Sequence, residues 1–384
     1  MNNVSVEPIP VMRPWLGEEE ANAAAEAVRS GWVAQGPRVA EFESRFAETV
    51  EARQAVAVSS CTTALHLGLV LLGVRPGDEV IVPSLSFIAT TNVVRHVGAT
   101  PVFADVERTT GNLTAATVEA ALSPRTSAVI LVHQGGMPAD VASIRAVCEA
   151  HGVAILEDAA CAIGSTYRGR PVGADAPLAA WSFHPRKLLT TGEGGMLTLA
   201  DAESARRARR LREHGMSVSA ADREASGGAM IEQYLEVGFN FRLTDIQAAV
   251  GLVQLTRLAA TVAERRDRAD RYGRLLAQVD GVQAPVDPPH GTTNYQSYVV
   301  RLAPWFAPHR NALLARLAAA GISARRGIMA AHTEPAYSAP PHGDLSVTEE
   351  LTAGSLILPL FHGLTDAEQD RVVDELGRGL HEYR

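Results

Sequence analysis

The residues best suited to chemistry lie in Trp181-Ser182-Phe183-His184-Pro185-Arg186-Lys187-Leu188-Leu189-Thr190-Thr191-Gly192-Glu193-Gly194-Gly195, where an apolar run leads into a polar, glycine-rich turn. That turn holds a lysine in a chain whose positive charge comes mainly from arginine. An amine can form an imine with a carbonyl compound and a permanently charged guanidinium cannot, so lysine at 187 points to covalent carbonyl chemistry. A solvated loop lysine explains the same residue equally well.

Two other segments offer partners for such an amine. In Ile155-Leu156-Glu157-Asp158-Ala159-Ala160, Asp158 closes an apolar run at the end of a strand, where open α/β sheets bind ligands. A carboxylate there could keep the ring nitrogen of a cofactor protonated, although a salt bridge or helix cap is the commoner use. Glu157 reads as outward-facing or structural. In Ser59-Ser60-Cys61-Thr62-Thr63-Ala64 a strand gives way to a helix. The hydroxyls of Thr62 and Thr63, with the free N–H groups of a first helical turn, suit a phosphate. An ordinary N-cap accounts for them as well.

These segments need elements to hold them. Between about 55 and 200, β-rich runs at 55–59, 79–82, 101–104, 127–132, 153–157, 178–183 and 195–199 alternate with helical stretches at 62–73, 86–97, 114–121 and 140–151. The alternation predicts an α/β fold with a mostly parallel sheet, covered by helices through right-handed crossovers. Upstream, 17–30 reads as an amphipathic helix led by Glu18-Glu19-Glu20, and 38–49 as a second one after a turn at Gly31, Gly36 and Pro37. Downstream, Thr244 and Gln247 form a capping-box signature that opens a helical pattern reaching about 279. So long a pattern predicts a kink or break between two lobes. Strand-like segments at 295–302 and 355–359, with helices at 307–319 and 365–381, suggest a smaller C-terminal α+β domain. The division expected is 1–255 for the N-terminal segment and large domain, and 256–384 for the small one.

Composition narrows the function classes. The chain has 384 residues, 46% hydrophobic and 20% charged, the balance of a soluble globular enzyme. Its 43 acidic against 35 basic residues give a net charge of -8, which argues against a nucleic-acid or membrane-surface binder. Residues 1–15 show no secretory pattern and the apolar run at 64–72 is too short to span a bilayer, so a cytoplasmic location is expected. Cys61, Cys148 and Cys161 lack metal-type spacing, which predicts neither a metal site nor a disulfide framework. The run Arg206-Arg207-Ala208-Arg209-Arg210-Leu211-Arg212 reads first as a solvated helix face. A nucleotide diphosphate or a second subunit is its other possible partner.

Taken in order, these motifs closely resemble the DegT/DnrJ/EryC1/StrS family of pyridoxal 5'-phosphate (PLP) dependent sugar aminotransferases, a branch of the fold-type I transferases. The resemblance rests on Gly31-Trp32 with Gln35-Gly36-Pro37, Pro76-Gly77-Asp78-Glu79-Val80, Glu157-Asp158-Ala159-Ala160, Ser182-Phe183-His184 leading to Lys187, Thr191-Gly192-Glu193-Gly194-Gly195, and Asn240-Phe241-Arg242-Leu243-Thr244-Asp245-Ile246-Gln247. It implies Lys187 as the Schiff-base lysine and proton shuttle, and Asp158 as the partner of the pyridine nitrogen. Thr62, Thr63 and Ser182 would hold the phosphate, and Phe87 would stack on the ring. Asn240 matches a phosphate contact supplied by a neighbouring subunit, which implies a homodimer with shared sites. Gly192 through Gly195 then shape the turn beside the lysine.

His184 and Arg242 are candidates for substrate contact, Arg242 as an anchor for an anionic donor or a diphosphate, and His332 resembles a family position near the acceptor entrance. Local hydrogen bonding for His184 and an ion pair for Arg242 are the plain alternatives. The implied reaction moves an amino group from glutamate or glutamine to a nucleotide-linked ketosugar, with pyridoxamine 5'-phosphate formed during turnover. A ketocyclitol acceptor is a near alternative, and a non-enzymatic PLP-fold sensor or binding protein is an alternative of another class. Sugar deoxygenation is disfavoured, because the related deoxygenases replace the lysine with histidine. Two positions depart from the family pattern. Cys161 stands where His or Gln is usual and reads as a small pocket-lining residue, and His133-Gln134-Gly135-Gly136 lacks the bulkier residue common after the histidine.

Overall fold

Between residues 54 and 199 the chain alternates strand and helix as the apolar pattern predicts, in a computed structural model that describes residues 7–219, 231–337 and 343–382. The strands are β1 (Gln54–Val58), β2 (Glu79–Pro83), β3 (Thr100–Ala104), β4 (Thr126–Val132), β5 (Ala154–Asp158), the short hairpin β6 (Thr166–Tyr167) and β7 (Arg170–Pro171), β8 (Leu178–Ser182) and β9 (Gly195–Leu199). Seven of them form one sheet in the order β1-β9-β8-β5-β4-β2-β3. β3, β2, β4, β5 and β8 run parallel, and β9 is antiparallel to both of its neighbours. All five residues of β2 and of β9 are buried, as expected of strands covered on both faces.

Helices α1 (Glu18–Arg29) and α2 (Pro37–Thr49) precede the sheet; α3 (Cys61–Leu71), α4 (Ala89–His96), α5 (Ala115–Ala121), α6 (Val141–Ala150) and α7 (Ala202–Arg212) follow its strands. Leu65, Leu67 and Leu69 of α3 and Ala205, Ala208 and Leu211 of α7 pack with Val56, Val58 and Leu197 of the sheet. Phe42 and Phe46 of α2 meet Trp181, Phe183 and Met196 in a second cluster, and Ile144 and Cys148 of α6 meet Ile81 and Val129 in a third. Each such Leu or Phe, fully buried, contributes about 1.5–3 kcal/mol relative to exposure. Right behind the Lys187 turn, Phe183 lies 5.2 Å from Phe42 and 5.4 Å from Phe46, ring to ring.

Two expectations need correction. The helix opened by the Thr244–Gln247 capping box runs unbroken from Asp245 to Leu276, 32 residues without the anticipated kink. Its sequence holds no proline and is rich in Ala, Leu and Arg, so propensity favours continuity. Leu258 belongs to the core around Trp181, whereas Ala269, Tyr272 and Leu276 belong to a separate C-terminal core. The first part of this helix is apolar enough over membrane length, with a mean hydropathy of 1.3, a property the run at 64–72 does not reveal. It lies against α1 and α2.

The arginine run is the second correction. It is not a freely solvated face: Arg212 is buried and binds Glu43 at 2.5 Å and the Ala57 carbonyl at 2.7 Å, Arg209 reaches the Ala55 carbonyl, and Arg207 pairs with Glu236. The Arg212 and Arg209 contacts fasten α7 to α2 and β1, and the Arg207 pair ties it to the segment at 236.

The C-terminal part is an antiparallel sheet in the order β10 (Val282–Gln283), β12 (Tyr298–Leu302), β14 (Ser355–Leu358), β13 (Arg325–Arg326). The remaining short strand, β11 (Gly291–Thr292), pairs with β6. Helices Arg310–Ala319 and Asp366–His381 cover the sheet through Leu313, Leu317, Val372 and Leu376.

Candidate active site

A cavity of about 700 Å³ opens at the C-terminal ends of β2, β4, β5 and β8, where an open α/β sheet places its ligands. Thr62, Phe87, Asp158, Ser182, His184 and Lys187 all line it, so six residues singled out along 126 positions of sequence meet in one place. Lys187 is the chain's only lysine.

Asp158 ends β5 with its side chain almost fully buried. It accepts hydrogen bonds from Thr90 Oγ1 at 2.9 Å and from the Ala160 N–H at 3.2 Å. Because Thr90 spends its proton on Asp158, Ser86 must donate to Thr90 across 2.8 Å, and this relay fixes the carboxylate. Burial raises the Asp158 pKa above the usual carboxylate range, although Thr90, Ala160, Lys187 and His133 pull it down. The acid is thus under-compensated, and a cationic N–H donor would complete it.

Glu157, one residue earlier, points to the opposite face and is also buried, which removes the outward-facing alternative. His133 Nδ1 accepts the Ala139 N–H at 3.1 Å, so the ring proton sits on Nε2 and is donated to Glu157 across 3.1 Å. The His133 N–H in turn donates to the Asp158 carbonyl, tying β4 to β5 beneath the carboxylate. Gln134 follows in the cavity wall, with Gly135 and Gly136 in left-handed conformations.

Lys187 Nζ lies 2.9 Å from Cys161 Sγ. Burial acts to lower the Lys187 pKa, but Cys161, Cys61 and Asp158 more than offset it and leave it raised. The departure at 161 therefore puts a sulfur in contact with the lysine itself. Burial, then Asp158, pushes the other cavity thiol, Cys61, well above the ordinary thiol range, so it is neutral and a poor nucleophile at pH 7. The Lys187 turn is held at several points: Lys187 N–H donates to the His184 carbonyl at 2.8 Å, and Thr191 N–H to the Phe183 carbonyl at 3.1 Å. His184 Nδ1 accepts from the Arg186 N–H at 3.2 Å, which supports its turn-shaping role.

The start of α3 divides the two threonines. Thr63 and Ser60 form a reciprocal capping box, Thr63 N–H to Ser60 Oγ at 3.1 Å and Ser60 N–H to Thr63 Oγ1 at 3.0 Å. Thr63 is thereby engaged as a cap, while Ser60, Cys61 and Thr62 line the cavity beside Ser182. A phosphate would meet the α3 N-terminus, the Thr62 hydroxyl and Ser182 there. Phe87 lies before α4, which starts at Ala89 instead of 86, and its ring is 57% exposed at the cavity wall, free to cover a planar ligand. These features fit PLP: an acid for the ring nitrogen, an aromatic for its face, a helix terminus for its phosphate and an amine for its aldehyde.

Gly195 is required where β9 abuts α3, because a Cβ there would lie 2.4 Å from the Ser60 carbonyl carbon and 2.6 Å from the Cys61 nitrogen. Gly195→Ala must displace the α3 N-terminus. It is expected to weaken cofactor affinity by at least about tenfold, near 1.4 kcal/mol, in an absorbance titration with PLP. Unchanged affinity would show that this terminus does not hold the phosphate.

Three candidates lie elsewhere. His332 is buried, with Nδ1 2.6 Å from Ser84 Oγ and Nε2 3.2 Å from Glu349, outside the cavity lining. Asn240 is exposed and Arg242 half-buried, and neither lines this chain's cavity. Conversely, Thr90, Gln296, Arg325 and Arg326 are cavity residues that the sequence does not single out. Spacing gave no signal for the last three, which arrive from the C-terminal part.

A lysine and a buried carboxylate at the C-terminal edge of a mostly parallel seven-stranded sheet, with a smaller C-terminal domain, define a fold-type I PLP-dependent transferase. The chain belongs to the DegT/DnrJ/EryC1/StrS aminotransferase family, whose model matches residues 14–377. It is similar to the aminotransferase TlmJ from Streptoalloteichus hindustanus, at 39% identity over 97% of this chain and 99% of that one, with a TM-score of 0.89. It is also similar to Spr1654 from Streptococcus pneumoniae in its PMP form, at 28% identity over 98% and 100% of the two chains, with a TM-score of 0.92. DesI, crystallised in the presence of its TDP-sugar product, matches at 33% identity over 99% of this chain and 94% of that one, with a TM-score of 0.89.

Proposed function

We propose that this aminotransferase moves an amino group from glutamate or glutamine to a keto group of a nucleotide-linked deoxysugar. The observation that carries the reading is the single lysine, facing a buried acid in a cavity whose outer wall is basic: Arg186, Arg325 and Arg326 are exposed and line it. Exposed guanidinium groups suit the diphosphate of a nucleotide sugar. The similarity to DesI, which is named with a TDP-sugar product, supports the same substrate class.

Bound PLP supplies an electron sink for the bonds at the substrate's amine-bearing carbon. Lys187 Nζ serves as the base that takes the proton from that carbon and the acid that returns it one position away. Asp158 would hold the proton of the ring nitrogen in place, and Phe87 would cover the ring face. Cys161 receives the Lys187 ammonium through its sulfur when the amine is free, keeping Nζ inside the cavity. Asn240, exposed on this chain, completes the phosphate site of a second copy in a homodimer.

The test loads the protein with pyridoxamine 5'-phosphate and offers a panel of TDP- and UDP-linked ketosugars and ketocyclitols, with products identified by mass. An aminated nucleotide sugar is the expected product. Amination of a ketocyclitol alone would move the acceptor to the cyclitol class. If no acceptor is aminated, and the visible band of the lysine-bound cofactor persists with every amino donor, transamination is wrong.

A further inference from the structure

Resting on the transaminase reading, we propose that Asn294 and Gln296 are positioning residues: a strap from the C-terminal part that fixes the backbone at Lys187 and at Cys161 in one register. Gln296 is buried and its amide spans the lysine. Its Oε1 accepts the Leu188 N–H at 2.9 Å and its Nε2 donates to the Arg186 carbonyl at 2.5 Å, so the peptide groups on both sides of Lys187 are held by one side chain. Asn294, fully buried two residues earlier, does the same for the facing turn. Its Nδ2 donates to the Cys161 carbonyl at 2.8 Å and to the Ile163 carbonyl at 2.7 Å.

The two amides are locked to each other and to the fold. Asn294 Oδ1 accepts the Gln296 N–H at 2.7 Å. Between them Tyr295 adopts a left-handed conformation, φ 50°, uncommon for a residue with a side chain. Arg265, buried in the long helix, holds that conformation: it donates to the Tyr295 carbonyl at 2.6 and 3.1 Å, to the Gln296 carbonyl at 3.0 Å and to the Leu360 carbonyl at 2.9 Å. The turn that follows β4 closes on the same amide, since a Cβ on Gly136 would lie 1.9 Å from Asn294 Oδ1.

A proton shuttle must reach two carbons in turn, and its accuracy depends on where its backbone is anchored. Held at Arg186 and Leu188, Lys187 can move only by rotating its side chain. The strap also keeps Cys161 Sγ where a released Nζ meets it.

Gln296→Leu removes both hydrogen bonds of the side-chain amide at similar volume, and Gln296→Glu keeps the acceptor for Leu188 while losing the donor to Arg186. In the PLP-loaded protein, Gln296→Leu is expected to lower kcat about 10- to 100-fold with little change in the donor KM. The pH midpoint of the lysine-bound cofactor's visible band should move by about half a unit or more, which altered packing alone would not produce. Gln296→Glu should fall between Gln296→Leu and the unsubstituted protein. If Gln296→Leu folds with kcat and midpoint both unchanged, the proposal is overturned; if it does not fold, the same two measurements on Gln296→Glu decide. A missing visible band in the unsubstituted protein would count against the transaminase reading alone. The strap would then be read in cofactor-free protein, where hydrogen exchange at the Leu188 amide should quicken in Gln296→Leu, and an unchanged rate would overturn it.

Discussion

Lys187→Ala is expected to lower kcat by about 10⁴-fold, because one group carries both the covalent bond to the cofactor and the proton transfer. Two cavity neighbours are unsuited to replace it. His184 has its Nδ1 committed to the Arg186 N–H, and Cys61 is kept neutral by burial. Since this is the only lysine, borohydride reduction of the PLP-loaded protein should add one cofactor at residue 187, and none at any side chain of the variant. Peptide mass mapping and single-turnover kinetics check the two halves. Added small primary amines should restore part of the proton transfer in the variant, and activity within tenfold of the original would remove Lys187 from the mechanism. The raised pKa of the free amine has its own consequence. Capture of PLP requires the neutral amine, so the capture rate should climb with pH up to the folded lysine pKa.

Asp158→Asn should lower kcat by about 10³-fold, because an amide cannot hold the ring-nitrogen proton by charge. In cofactor-free protein the same change should be neutral or stabilising at pH 7–8. The sign follows from linkage: burial raises the folded pKa of Asp158 above its unfolded value, so the folded state binds the proton more tightly. Stability from that proton is complete below the unfolded pKa, about 3.9, and is lost as pH rises through the folded pKa. Above that window the original protein carries a buried, under-compensated charge that the asparagine lacks. Melting temperatures of both proteins from pH 4 to 8 should therefore diverge in favour of Asp158→Asn as pH rises. A variant that is less stable at neutral pH, with its deficit shrinking in acid, would show that Thr90 and Ala160 already satisfy the carboxylate.

Much of this architecture was legible because it is local. The seven central strands and the helices between them follow from apolar runs bounded by turns, and the Thr244–Gln247 box marks its helix start to the residue. Lys187 and Asp158 were legible because each ends or follows a strand, whereas Ser182 entered only through the family resemblance. The threonines were only half legible: a hydroxyl at a helix start serves a cap or a ligand alike, and the fold gives the cap to Thr63 and the cavity to Thr62. Partners far apart in sequence were not legible at all. Glu43 neutralises Arg212 from 169 positions away, and Gln296 reaches Leu188 across 108, with no periodicity to announce either contact. The kink expected after residue 244 failed for a related reason, since length alone predicts a break only where nothing packs along the helix.

That uninterrupted helix has a thermodynamic consequence. From Leu258 in one core to Tyr272 in the other it rises about 21 Å, with every backbone bond shared along a single rod. Melting either core would strip the packing from one half of the rod and expose the other half to fraying. The shared helix couples the two lobes, so heat and denaturant are expected to meet a single transition, which calorimetry with two spectroscopic probes checks.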